Sequence, residues 1–125
     1  MIDRLFIDEA KHCATKSNIK IAHHGAVVIY RGKIVGKGYN YAKNLYNNNK
    51  ENSRELIKNN KYKYSVHAEV AAIKNSLKNV NQETLKKCEL IVVRVNNMGE
   101  LMNSQPCDCC KNFINNFKIR KTYYS

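Results

Sequence analysis

No run of consecutive apolar residues in this chain approaches the roughly eighteen that a membrane-spanning helix requires, so neither a span nor a membrane partner is expected. The opening Met1-Ile2-Asp3-Arg4-Leu5 has no basic start leading into an apolar stretch and a small-residue cleavage site. That argues against a secretory signal and for a cytoplasmic or other reducing intracellular location. An internal repeat is also missing. At 125 residues the chain is read as a single domain, residues 1–125, long enough to bury a core without disulfides. Nor do the cysteines make a disulfide framework: there are five, an odd number, and three crowd into Cys107-Asp108-Cys109-Cys110. Such crowding suits a metal site in a reducing compartment, while Cys13 and Cys88 read as small core residues.

Acidic residues are scarce. Ten stand against 22 Lys and Arg, a net charge of +12. Phosphate neutralisation and counterion release make such a surplus favourable for nucleic-acid association, and nucleic acid is the expected partner, DNA ahead of RNA. The competing explanation is compositional: Asn47-Asn48-Asn49-Lys50 and Lys58-Asn59-Asn60-Lys61 are rich in the residues that an AT-rich coding sequence favours. Oligomeric state is not written in any feature of the sequence.

Apolar residues at Ile2, Leu5, Phe6, Ala10, Cys13 and Ala14 recur at three- and four-residue steps, which predicts an amphipathic helix ending near Ser17. Gly25 to Tyr30 and Ile34 to Tyr39 flank Arg31-Gly32-Lys33 and read as a β-hairpin. The polar stretch from Asn40 to Tyr64 has helical character only over Glu51 to Ile57. Ser65 is placed to cap a helix with Val66, Val70, Ala71, Ile73 and Leu77 on its buried face, so His67 and Glu69 fall in its first turn. Cys88 to Val95 is a short apolar run of the kind that is covered on both sides of a sheet, followed by a loop from Asn96 to Gln105. Pro106 stands where a helix can start without losing a needed donor, and Phe113, Ile114 and Phe117 give that helix an apolar face. Ile119 to Tyr124 reads as a last strand. The order helix, hairpin, helix, strand, helix, strand makes a layered α/β domain with crossover helices.

Two short pieces carry chemistry when taken together: His67-Ala68-Glu69 opening one helix and Pro106-Cys107-Asp108-Cys109-Cys110 opening the next. Alone, a His near a helix start is more often a surface residue, and Cys-x-x-Cys recurs in redox and structural zinc sites. Jointly they offer one imidazole and two thiolates, leaving a fourth tetrahedral position for water, as catalytic zinc sites do. A non-catalytic zinc module binding nucleic acid would need a fourth protein ligand, such as Cys109 or a further His. Both sets sit at helix starts, where backbone donors and the helix dipole favour thiolates.

With these residues the chain resembles the cytidine deaminase superfamily, whose pattern is His-x-Glu followed by Pro-Cys-x-x-Cys. Gly36-Lys37-Gly38-Tyr39-Asn40 is similar to the segment that precedes the first zinc motif in that family. The resemblance implies a three-layer fold, a central mixed sheet with helices on both faces, short at its carboxyl end. It implies Zn2+ held by His67, Cys107 and Cys110, with Glu69 as general acid and base in hydrolytic attack at the amino-bearing ring carbon. Asn40 would contact the sugar or base. Cys109, out of the family spacing, is read as a non-ligand. Ala68 is small enough to let a ring approach the backbone, although small residues also serve helix packing. His23 and His24 either line the pocket mouth or are ordinary exposed polar residues.

Three branches compete for the substrate: free cytidine or deoxycytidylate, adenosine in tRNA, and cytosine within a polynucleotide. Asn103-Ser104-Gln105 is neither the Ser-Trp-Ser of the APOBEC and AID deaminases nor the Thr-x-x that often precedes Pro-Cys elsewhere. The interval from Glu69 to Pro106 is long, suggesting extended loops around Asn79 to Lys87 and Asn96 to Gln105. The sequence ends where family members generally continue through a fifth strand and a helix. Lys61, Lys63, Lys86, Lys87, Arg94, Lys111, Lys118, Arg120 and Lys121, interleaved with Tyr62, Tyr64, Tyr123 and Tyr124, could track phosphates and stack on bases. Packing is the other use of that tyrosine pair, since Tyr123 and Tyr124 face opposite sides of a strand and at most one, Tyr124 being the candidate, can meet substrate. The reading favoured by the charge is deamination of cytosine to uracil in single-stranded or flipped-out DNA.

Overall fold

The computed structural model describes residues 4–19, 22–42 and 65–125. The helical stretch expected over Glu51 to Ile57 lies outside these residues, as do Lys61, Tyr62, Lys63 and Tyr64 of the expected binding surface. Helix α1 (Arg4–Ala14) buries Ala10, Cys13 and Ala14 on one face, the stripe set by its apolar spacing. Strands β1 (His23–Tyr30) and β2 (Lys33–Tyr39) form the expected hairpin. Its turn is tight because Arg31 and Gly32 both take positive φ, 50° and 75°, the backbone that matches the right-handed twist of the flanking strands.

Two very short strands, β3 (Tyr41–Ala42) and β4 (Ser65–Val66), pair antiparallel. Ser65 is therefore not the helix cap that its residue type suggests. Its backbone is taken by the ladder to Ala42, and His67 becomes the N-cap of helix α2 (Ala68–Ser76). The long interval before the second motif contains helix α3 (Gln82–Leu85), where the Asn81 side chain accepts from the Thr84 amide at 2.8 Å, a side-chain cap in the usual sense. Strand β5 (Glu89–Val95) follows, then β6 (Leu101–Met102) inside the stretch expected to be loop, then helix α4 (Asp108–Phe117) and strand β7 (Lys121–Tyr124).

Among the described residues the main sheet has five strands: β2, β1 and β5 lie side by side, and the far edge of β5 is shared by β6 and β7. β5 runs antiparallel to β1 and β6 and parallel to β7, so the sheet is mixed. Alternation along β1 and β5 sorts the core into two layers. Val27, Ile29, Ile91 and Val93 pack against Ala10 and Cys13 of α1. Ala26, Val28, Leu90 and Val92 pack on the other face against Ala68, Ala72 and Ile73 of α2 and Ile114 of α4. Helices thus cover both faces, and β5, flanked by strands and by both helical layers, reads as the continuous apolar run that its sequence showed.

α2 lies very close to β2. A methyl group at Gly38 would stand 2.3 Å from the Ala72 amide nitrogen and 2.8 Å from the Ala68 carbonyl oxygen, and one at Gly36 would meet Ala72 and Ser76 equally tightly. The two glycines let helix backbone sit against strand backbone, and this close seating fixes where the helix begins.

Candidate metal centre and cavity

The amino-terminal ends of α2 and α4 meet at one end of the sheet. Each helix has an unusual N-cap: His67 for α2 and Cys107 for α4, both in extended backbone and neither using its side chain to cap. The capping carbonyls still serve the helices, accepting from the amides of Ala71 and Lys111 at 3.0 Å each. The side chains are left to face one another. His67 Nδ1 lies 2.9 Å from Cys110 Sγ and 3.7 Å from Cys107 Sγ, and the three donor atoms all fall within 4.8 Å of one another. Around a tetrahedral zinc ion such donors stand about 3.5–3.8 Å apart. The Cys107 spacing already matches, and the Cys110 spacing needs to open by roughly half an ångström. One imidazole and two thiols are also the donor types that zinc prefers, so the residues fit the metal.

Cys109, exposed and outside this cluster, takes no part in it. Cys110 is buried. Burial, then the Glu69 charge and hydrogen bonds with Cys107 and Glu69, push its thiol well above the ordinary range. A divalent cation among the three donors reverses that pressure, because it stabilises thiolate directly.

Glu69, in the first turn of α2, is 4% exposed. It lines a cavity of about 230 Å³ together with His67, Cys107, Ala68, His24 and Asn40. All six came from the sequence as expected ligand, acid or substrate contact. The same cavity is closed by Pro106 of the second motif and by residues that sequence reasoning did not assign to the site: Ile19, Val66, Ser104 and Gln105. Ser104 had a faint signal, a small polar residue just before the cysteine motif. Its hydroxyl donates to the Val92 carbonyl at 2.9 Å and accepts from the Ser125 amide at 2.9 Å, which ties the approach to α4 onto the sheet.

Asn40 is buried and braced. Its Oδ1 accepts from the His24 amide at 2.8 Å, and its Nδ2 donates to the Ala22 carbonyl at 2.7 Å. One amide proton remains for another partner. Nδ2 also lies 3.5 Å from His24 Nδ1, at the outer limit of a hydrogen bond, so this proton stays available to a ligand. Burial first, then the positive charges of Arg94, His67 and His23, push the His24 imidazole down to about 4, so the cavity wall carries a neutral ring at neutral pH. His23 is its neighbour on β1 and belongs to the opposite face, away from the cavity; its buried Nδ1 has no partner among the described residues. Tyr124 packs against the α2 and α4 side of the core and does not line the cavity. Burial, with the charges of Glu69 and Cys110, pushes its phenol up to about 12.

The sequence profile of the cytidine and deoxycytidylate deaminase zinc-binding region matches residues 1–125, the whole chain. The chain belongs to this family. No curated protein matches the deaminase in sequence. Solved structures do match in fold. The dCMP deaminase of cyanophage S-TIM5 is 21% identical, with 97% of this chain and 79% of that chain covered at a TM-score of 0.67. Guanine deaminase from Bacillus subtilis is 21% identical and covers the deaminase fully, matching 64% of its own length at a TM-score of 0.62. Cytidine deaminase from Burkholderia pseudomallei is 18% identical over 91% of this chain and 75% of that one, at a TM-score of 0.61. At these identities the shared property is the three-layer fold. The zinc cofactor follows from the family together with the His67, Cys107 and Cys110 cluster.

Proposed function

We propose that this deaminase converts cytosine to uracil in a polynucleotide, DNA rather than RNA, releasing ammonia with consumption of one water. The observation that carries the choice of a polynucleotide is the basic surplus, a net charge of +12, and the size of the cavity supports a base as what the site encloses. At about 230 Å³ it falls below the roughly 300–1,000 Å³ of sites that enclose drug-sized ligands. It suits a base ring, with the sugar and its phosphates left at the mouth. A partner rich in phosphate also matches the surplus of 22 basic over 10 acidic residues.

Zinc, when bound by His67, Cys107 and Cys110, supplies the Lewis acidity that activates water near neutral pH. Glu69, buried at the cavity wall, accepts one proton from the attacking water and delivers it to the ring nitrogen, then accepts the remaining proton of the oxygen now bonded to the ring carbon and passes it to the amino group, which leaves as ammonia while that oxygen becomes the carbonyl. Ala68 has no side chain beyond its methyl group, so the ring can lie against the start of α2. Asn40 offers its remaining amide proton, and neutral His24 offers a ring N–H, to hold the base or sugar without adding charge. In the same reading Tyr124 acts from beneath the cavity, through packing near Glu69 and Cys110.

The family's description favours a second reading, free deoxycytidylate or cytidine. The test incubates zinc-loaded protein with single-stranded DNA, duplex DNA, RNA, deoxycytidylate and cytidine, and quantifies uracil by mass spectrometry. Uracil in DNA alone is the expected result; conversion of free nucleotides alone overturns it. Glu69→Gln is expected to lower the rate by 10²–10⁴-fold while retaining zinc.

A further inference from the structure

Of the basic residues expected from sequence to flank the substrate, none among the described residues lines the cavity, though Arg94 stands across the sheet from His24. Lys86, Lys87 and Arg120 gather instead around the Tyr30–Gly32 turn, at the end of β1 opposite His24. A different set adjoins the catalytic cavity. Val66 lines that cavity and also a groove of about 370 Å³ between α2 and the edge strand β2. The groove is bordered by Lys74 and Ala71 of α2, by Lys78 in the turn after it, and by Tyr39 and Tyr41.

Helical spacing explains the alignment. Residues 67, 71 and 74 are separated by steps of four and three, so they share one stripe of α2 from its N-cap, and Lys78 follows in the turn that ends the helix, on the same groove. The stripe begins at the zinc ligand, passes the small Ala71 and reaches the exposed Lys74 about 10 Å further along the helix axis, with the exposed Lys78 beyond it. Among the described residues no carboxylate pairs with Lys74 or Lys78, whereas the nearby Lys37 is held by Glu9 at 2.9 Å. Opposite the lysines, the rings of Tyr39 and Tyr41 lie 5.7 Å apart and tilted by 57°, both residues half-buried.

We propose that this groove carries the polynucleotide strand on one side of the target base, with phosphates on Lys74 and Lys78 and a neighbouring base against the Tyr39 and Tyr41 pair. The combination of a cationic track and aromatic faces is the physics of sequence-tolerant single-strand binding. This assignment rests on the polynucleotide reading above and adds the path that the strand takes.

The test measures fluorescence anisotropy of a labelled single-stranded deoxyoligonucleotide against the zinc-loaded protein across a salt series. The variants are Lys74→Glu with Lys78→Glu, the charge-conserving Lys74→Arg with Lys78→Arg, Tyr41→Ala, and the distant pair Lys87→Glu with Arg120→Glu. Melting temperature and zinc content establish that each variant is folded. The groove assignment expects at least tenfold weaker binding for the Lys74/Lys78 glutamate pair. It also expects a log–log salt slope reduced by about 1.4, two contacts at about 0.7 each, with recovery in the arginine pair and a smaller loss in Tyr41→Ala. If the wild type binds the oligonucleotide and the distant pair carries the loss while Lys74 and Lys78 do not, the groove assignment is overturned and the substrate reading survives. If the wild-type protein neither binds nor deaminates the oligonucleotide but converts free deoxycytidylate, both fall together.

Discussion

His67 and Cys107 each occupy a position where helices usually place a residue that caps with its side chain, and each withholds it. The backbone keeps the helix start while the imidazole and thiol are spared for metal. Cys109 and Cys110, adjacent in sequence, then have opposite fates because helix geometry turns one to solvent and the other toward His67. Cys110→Ala is therefore expected to lose stoichiometric zinc, and Cys109→Ala to retain it, as read by elemental analysis after gel filtration. A second residue-scale expectation concerns His24. Its imidazole is pushed down from 6.5 to about 4 in the folded protein, so between those values the unfolded chain binds more protons than the native one. Stability contributed by the neutral ring is present above about pH 6.5 and is lost as pH falls toward 4. Thermal melts of wild type and His24→Asn across pH 4–7 should show a shallower acid-side decline in the variant; parallel curves would remove His24 from the explanation. His67-Ala68-Glu69 and Pro106-Cys107 were legible in sequence as chemistry because few other roles need those residues at those spacings. Ser104 and Gln105 were not, since their place in the cavity comes from a loop tied to Val92 and Ser125.

At the scale of elements, long periodic segments read correctly and short ones did not. α1, the β1–β2 hairpin, β5 and α4 each present enough residues for a face or an alternation to show. α3 has four residues and β6 has two, too few for any period to mark them in the sequence. The Ser65 cap failed for a related reason: a serine before an apolar run is a good cap in isolation, but here the ladder to Ala42 claims its backbone. The seating of α2 on β2 depends on Gly38. Gly38→Ala would set a methyl 2.3 Å from the Ala72 nitrogen, contact with helix backbone that no rotamer change relieves. The expected cost is about 1–3 kcal/mol from overpacking, measured by denaturant unfolding. Displacing the start of α2 also moves His67, so zinc affinity should fall with it; unchanged affinity would mean that the helix start is held by α4 instead.

For the whole molecule, the metal ligands join two helices that belong to the same outer layer, while α1 covers the other face of the sheet. Removing zinc should therefore loosen one layer more than the other. Zinc at a hundredfold above its dissociation constant is expected to raise the melting temperature on the order of 10 °C, reversed by chelation. Hydrogen exchange after chelation should quicken in the first turns of α2 and α4 before it does in α1. Uniform quickening would show that the ligands hold the entire domain together. The candidate ligands and the expectation for Glu69 came from the sequence through the motif resemblance, and the apolar strands and net charge through residue type and local spacing. Tertiary structure decided the rest: which N-caps face each other, how small the cavity is, and that its neighbouring groove is lined by Lys74 and Lys78, not by Lys86 and Arg120. Those depend on how strands pair and how closely helices seat, and residues far apart in the chain become neighbours only when the sheet brings the helix starts together.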